Sequence, residues 1–396
     1  MKIAGHPPVR ADHIGSLLRP PALRHAFRDF HQRKIGEGEF CAIQDEAIRE
    51  VVDLQREVGL EVVNDGEFRR GSYWGRFVEL TEGLAVKEAV FKFHDDEGHQ
   101  VDFTAPHVEG KVRRGRPIAA DEVAFVRGLS AEKGSGVVFE RHAGPRPREE
   151  RKRLPTPFSP LVKVTLPSPP TMHFWRGSRY ADPGLYASPR EFFADLARVY
   201  RAEIADLALA GAGYVQLDEV PLAMLCDPAV REQVKADGQD PQALVDLYVD
   251  AINEAVADRP ADLVIGIHMC RGNFKGLYLS AGGYDSVAEA LFQRANVNHF
   301  LLEYDTPRAG NFAPLRFVPK DKGVVLGIVS SKVATLEPLD HLKRRVDEAA
   351  RYVDAERLAL SPQCGFASTV AGNPIAEADM RAKLALVVEA SHTLWT

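Results

Sequence analysis

Apolar and polar positions along this chain follow two rhythms. Short apolar runs, many of them β-branched, recur at His13–Ser16, Glu61–Glu67, Leu161–Leu166, Tyr214–Glu219, Leu263–Cys270, His299–Asp305, Gly323–Ser330 and Leu358–Cys364. Between them lie stretches with apolar residues three and four apart, at Ala42–Val58, Pro189–Leu209, Pro241–Ala257, Ser286–Arg294, Leu339–Val353 and Ala376–Leu394. Near-continuous apolar strands separated by amphipathic helices predict a parallel sheet buried on both faces. Eight such units predict an α/β fold, a single closed (β/α)8 TIM barrel domain over residues 1–396. A doubly wound open sheet is the alternative.

One interval breaks the alternation. Residues 82–160 are rich in Gly, Pro and charge, with weak strand signals only at Val90–His94 and Val137–Glu140. They read as an insertion between the second and third strands. The interval carries a basic run, Arg146 to Arg153. A clamp for phosphate or an acidic tail is one reading; a solvated loop is favoured, because Glu149 and Glu150 interrupt the run.

Composition narrows the function classes. A hydrophobic fraction of 45% in 396 residues supports a large core, and the net charge of −6 gives no electrostatic case for a nucleic-acid-coating protein. No apolar run is long enough to predict a membrane span, and the first residues lack the apolar core of a signal peptide. Four cysteines in a chain of this length make no disulfide framework. They point to a reducing compartment, the cytoplasm, with thiols free for metal or catalysis. A homo-oligomer is compatible with all of this.

The strand ends carry the chemistry, since barrel enzymes place reacting groups at the C-terminal ends of their strands. Polar residues fall there at Ser16, Asp65, Glu67, Asp218, Glu219, His268, Cys270, Glu303, Ser330 and Cys364. His268 and Cys270 are two apart on a strand, so both face one side while Met269 faces the other. An imidazole and a thiolate on one face suit a borderline-soft cation such as Zn2+, and Glu303 and Cys364 complete a tetrahedral set. The competing reading is a buried thiol beside a satisfied histidine. Cys41 and Cys226 fall in or beside helical segments and read as ordinary apolar residues. Glu67 and Asp218 together suit an ammonium group, and the Gly turn at Ser16 suits a carboxylate, as an amino-acid substrate requires. A local ion pair of Glu67 with Arg69 or Arg70 is the alternative.

These residues resemble a known family. HIGS at 13–16, NDGEFRR at 64–70, VQLDEVP at 215–221, IHMCRGN at 267–273, LLEYD at 301–305 and SPQCGF at 361–366 are similar to the C-terminal catalytic barrel of cobalamin-independent methionine synthases. The likeness is greatest to the short single-barrel bacterial relatives, and it spans nearly the whole chain outside 82–160. It implies a (β/α)8 barrel and a catalytic zinc held by His268, Cys270, Glu303 and Cys364. The reaction it implies moves a methyl group from a 5-methyltetrahydrofolate-type donor to homocysteine, making methionine. It assigns the carboxylate of the amino acid to the turn Ile14, Gly15 and Ser16, and the ammonium to Glu67 and Asp218. Trp175, in SPPTMHFW, matches the tryptophan that stacks on the folate pterin; ordinary wall packing is the competing reading.

Two departures stand out. The additional N-terminal barrel of the full-length synthases is not in this sequence. Where the family carries a histidine that helps protonate the departing folate nitrogen, this chain has Ser330, followed by Ser331 and Lys332. A different methyl donor therefore stays open. So do a thiol alkyltransferase of the epoxyalkane–coenzyme M type and a partner-dependent accessory protein in methyl transfer.

Overall fold

The computed structural model describes residues 9–134 and 160–395. The strand signal at Val137–Glu140 and the basic run Arg146–Arg153 lie outside the described residues.

The fold is mixed α/β around a seven-stranded parallel sheet. Its strands are β1 (Val62–Val63), then, after a separate excursion that holds β2 (Thr81–Glu88), β3 (Phe93–His94), β4 (Gln100–Val101) and β5 (Thr104–Arg114), β6 (Leu161–Pro167), β7 (Tyr214–Glu219), β8 (Val264–Met269), β9 (His299–Glu303), β10 (Gly323–Val329) and β11 (Leu358–Pro362). They lie side by side in the order β1-β6-β7-β8-β9-β10-β11. Every residue of β7 to β11 is buried. That is why their sequences read as unbroken apolar runs rather than as alternation.

The sheet curls until its two edges meet the same N-terminal segment. Ala11 bridges Leu360 of β11 in parallel, with Asp12 N donating to Leu360 O at 2.8 Å. A few residues on, Asn64 Nδ2, just past β1, donates to Gly15 O at 3.0 Å, and Leu17 N donates to Gly66 O at 3.1 Å. The expected first strand at His13–Ser16 is not formed. Pairing with β11 is over by Asp12, and the HIGS segment turns, with Gly15 at φ +119°. An added Cβ there would lie 2.6 Å from Thr165 Cγ2 and 3.1 Å from Glu67 Oε1, so the turn needs glycine for both its backbone and its space. A small apolar cluster of Val9, Ile14, Val62, Tyr214, Val264, Leu301, Val325 and Ala359 takes residues from both the segment and the strands.

Helices close the outside. The main ones are α1 (Pro21–His31), α2 (Glu37–Glu57), α3 (Gly75–Glu79), α4 (Ala120–Gly134), α5 (Pro189–Ala210), α6 (Pro221–Met224), α7 (Pro228–Ala236), α8 (Pro241–Ala255), α9 (Asp285–Arg294), α10 (Leu339–Ala349) and α11 (Glu377–Leu394). Their starts are written locally. Asp227 and Asp240 accept from Ala229 N and Gln242 N at 2.8 Å, each followed by a proline at the first helical position.

The excursion between β1 and β6 contains antiparallel structure that the sequence pattern did not reveal. Strand β2 (Thr81–Glu88) pairs with β5 (Thr104–Arg114), and β3 (Phe93–His94) with β4 (Gln100–Val101). Of the sequence signal Val90–His94, the end coincides with β3. The two-residue alternation of β2 is half exposed, so it has too little apolar content to stand out.

Candidate functional site

The ends of three strands place four donor groups together. His268 is near the end of β8 and Cys270 one residue past it; Glu303 ends β9; Cys364 follows β11 by two residues. One ligand atom from each lies within 4.8 Å of the others, and all four side chains are buried. The sulfurs of Cys270 and Cys364 are 3.4 Å apart. A tetrahedral zinc shell needs ligand separations of roughly 3.3–3.8 Å. The sulfur pair already meets that spacing, and the whole set needs only a small closure.

The imidazole is turned for coordination. His268 Nδ1 faces Leu301 O at 3.3 Å, and Nε2 is buried with no hydrogen-bond partner. A ring whose Nδ1–H is held by a backbone carbonyl presents the Nε2 lone pair to a cation. A buried polar atom left without a partner is otherwise costly. Two sulfurs, one nitrogen and one carboxylate are a donor set that fits zinc.

Charge within the cluster is uneven. The hydrogen bond between Cys270 and Cys364, with burial, pushes the Cys270 thiol up. The same hydrogen bond pulls Cys364 well below the usual thiol range, aided by His268 and Lys332. Burial opposes charge on His268, but Cys364, Asp218 and Glu303 together outweigh it and the ring is raised. Burial, with Cys364 adding to it, pushes Glu303 up to about 7. Arg271 N donates to Glu303 Oε1 at 3.3 Å and orients the carboxylate.

A second group adjoins the first. Asp218 of β7 pairs in register with His268 of β8. Gln216 Nε2 donates both to Asp218 Oδ1 at 2.6 Å and to Ile14 O at 2.7 Å, tying the HIGS turn to this strand. A Cβ on Gly365, next to Cys364, would lie 2.0 Å from Ser16 Oγ, so the Ser16 turn packs directly on the Cys364 loop. Glu67 is 2% exposed and sits at φ +61°, a left-handed conformation that a non-glycine residue adopts at a cost. Its Oε1 accepts from Thr165 Oγ1 at 2.8 Å, and its Oε2 is buried without a partner. Burial lifts Glu67 above the ordinary range; burial and the neighbouring Glu67 push Asp218 up to about 7. Two buried carboxylates that raise one another, one with a free oxygen, form a site that gains from a cation.

Neither Arg69 nor Arg70 forms a salt bridge with the Glu67 carboxylate. Arg69 pairs with Asp45, and Arg70 makes a buried bidentate pair with Glu122 while Nη1 donates to Thr165 Oγ1 at 2.8 Å. Trp175 is not brought to the cluster as an open platform. It is 2% exposed, edge-on to Phe103 at 5.4 Å and to Phe91 at 6.5 Å. Stacking a pterin on it would require those rings to move. Among the described residues Cys41 and Cys226 join no metal-ligand cluster; Cys226 Sγ points to Leu222 O at 3.4 Å. Ser330 N donates to Glu337 Oε1 at 2.8 Å, so that loop is fixed by Glu337, itself paired with buried Lys383.

Thr165, Glu122 and Tyr73 carried no signal of their own in the sequence. Thr165 and Glu122, with Arg70, support Glu67 from three separate elements. Tyr73 lies beside Cys270 and Asp218, which with burial raise its phenol. Lys332 Nζ donates to Gly272 O at 3.3 Å.

The comparisons with known proteins agree with this geometry. Residues 162–392 match the family described as "Cobalamin-independent synthase, Catalytic domain". The chain is 38% identical to the "Uncharacterized protein YxjH" of Bacillus subtilis, over 98% of this chain and 95% of that one. It is 24% identical to the methionine synthase of Sulfolobus acidocaldarius, over 89% of this chain and 84% of that one. A crystal structure of a candidate vitamin-B12 independent methionine synthase from Listeria monocytogenes superposes with TM-score 0.70 at 28% identity, covering 100% of both chains. This chain belongs to the cobalamin-independent methionine synthase family.

Proposed function

We propose that this protein is a zinc-dependent methyltransferase that moves a methyl group to the sulfur of homocysteine, producing methionine. The observation that carries the reading is the buried donor set His268, Cys270, Glu303 and Cys364, with its ligand atoms within 4.8 Å of one another. Zinc bound there would lower the pKa of an incoming thiol and favour its thiolate at neutral pH.

The protein's own residues supply the rest. Glu67 and Asp218 hold the substrate ammonium, and the turn of Ile14, Gly15 and Ser16 takes its carboxylate. With both ends of the amino acid fixed beside Cys364, the side-chain sulfur is directed at the metal set. Of the four groups that would hold zinc, Glu303 would be the most readily exchanged, since a carboxylate oxygen is the poorer partner for zinc beside two sulfurs. The unpartnered Glu67 Oε2 favours an ammonium-bearing thiol over a sulfonated one, which two carboxylates would repel.

We read the donor as a folate of the 5-methyltetrahydrofolate type. The chain is one catalytic domain on a (β/α)8 plan, with 82–160 as an insertion, working in the reducing cytoplasm. The test is metal analysis of the purified protein with a methyl-transfer assay. Cys270→Ser and Cys364→Ser should each lose zinc and turnover together; a zinc-free protein, or unchanged turnover in both variants, defeats the reading.

A further inference from the structure

The strand order β8-β9-β10 puts the end of β9, which is Glu303, between the ends of its two neighbours. Lys332 starts on the β10 side of that point and ends on the β8 side. Its backbone follows Ser331, whose N donates to Gln363 Oε1 at 2.5 Å and whose Oγ donates to Gly365 O at 3.0 Å, one residue to either side of Cys364. Asn373 Nδ2 donates to Ser331 O at 2.9 Å and fixes the same point. At the other end, Lys332 Nζ donates to Gly272 O at 3.3 Å, two residues past Cys270. The side chain therefore runs from the loop that carries Cys364 to the loop that carries Cys270, across the end of β9.

Three anionic groups face this ammonium. Its charge favours the ionised forms of Glu303, Asp305 and Cys364. Asp305 has partners of its own, the Ser330 hydroxyl and the charge of Arg308. Among the cations near Glu303, His268 belongs to the donor set and Arg271 is fixed. Arg271 is 1% exposed, and its guanidinium donates to Gly282 O at 2.8 Å and to Tyr284 Oη at 2.7 Å. Lys332 is half-buried on a flexible stem, and its one printed acceptor is a neutral carbonyl, so its tip can move. A dication with two thiolates and one carboxylate carries a single net negative charge. With a third thiolate in place of the carboxylate that charge is unchanged, but the released carboxylate adds another. Glu303 is 2% exposed, and a buried charge set loose without a partner is costly.

We propose that Lys332 is a positioning residue that receives the Glu303 carboxylate when a substrate sulfur takes its place in the donor set; this rests on the zinc-dependent methyl-transfer reading. The entering thiol gives its proton to water. The Glu303 carboxylate keeps its charge, and the Lys332 ammonium leaves Gly272 O to pair with it. Lys332 thus sets how easily a thiol enters and has no part in holding the amino-acid end of the substrate.

The test compares the zinc-loaded full chain with its Lys332→Met and Lys332→Arg variants. Affinities for homocysteine and methionine are measured by calorimetry, zinc content by metal analysis, and the sulfur count at the metal by X-ray absorption. Lys332→Met should keep its zinc and its affinity for methionine, which brings no thiolate. Its affinity for homocysteine should fall by about tenfold or more, with the third sulfur appearing only at correspondingly higher homocysteine. Lys332→Arg, which keeps the charge, should restore most of that loss. Unchanged homocysteine affinity in Lys332→Met, an equal loss for both ligands, loss of zinc, or an arginine variant as weak as the methionine variant would each overturn the proposal while leaving the methyl-transfer reading in place. A parent protein in which homocysteine adds no sulfur to the metal would defeat that reading and this inference together.

Discussion

The sulfur atoms of Cys270 and Cys364, which are 94 positions apart in sequence, lie 3.4 Å from each other within hydrogen-bond distance, and their coupling holds the Cys270 thiol up and pulls Cys364 down. A pair this close, with one partner biased toward thiolate, is primed either to share a cation or to oxidise. Metal-free protein treated with a mild oxidant should yield a linked Cys270–Cys364 peptide pair by mass spectrometry. Protein loaded with zinc should resist the same treatment. Equal oxidation in both states would mean that the sulfurs do not share the metal.

Glu67 and Asp218 should matter for the amine and not for the metal. Glu67→Gln and Asp218→Asn each remove one charge-assisted hydrogen bond, worth about 1.5–3 kcal/mol. Methionine binding measured by calorimetry should weaken by that amount in each variant, with zinc content unchanged. Loss of zinc in these variants would place the carboxylates in the wrong site.

The same carboxylates set a pH dependence. Asp218 is pushed up to about 7 by burial and by Glu67, with Cys364 adding and His268 opposing. It must lose its proton to hold an ammonium. Affinity for methionine should therefore rise with pH, by up to about tenfold per unit below 7, and level off above it. Asp218→Asn should flatten the profile. A flat profile in the parent protein would contradict the assignment.

Arg70 and Glu122 are 3% and 2% exposed and joined by a bidentate pair, so each is the compensation for burying the other. Arg70→Ala leaves the Glu122 charge buried and removes the donor to Thr165, which itself holds Glu67. The expected loss is about 3–5 kcal/mol in denaturant unfolding. A loss below about 1 kcal/mol would show that water reaches the pair.

The donor group His268, Cys270, Glu303 and Cys364 was legible in sequence because strand periodicity puts His268 and Cys270 on one face and because Glu303 and Cys364 come at the ends of nearby strands. The parallel strands were legible because burial on both faces makes them continuously apolar. The HIGS segment was misread as strand because its apolar content serves a turn, with Gly15 held against Thr165 and Glu67. The pair Arg70–Glu122 was invisible because its partners come from separate elements, and nothing local to Arg70 announces Glu122. For Trp175 the sequence left stacking and wall packing both open, because it does not show the rings of Phe91 and Phe103 that pack against it.

The most direct test is X-ray absorption at the zinc edge, recorded with and without homocysteine. The account predicts two sulfurs, one nitrogen and one oxygen around the metal, with zinc–sulfur distances of about 2.3 Å. On adding homocysteine, a third sulfur should replace the oxygen. A shell of oxygen and nitrogen alone, or a sulfur count that homocysteine does not change, would contradict it.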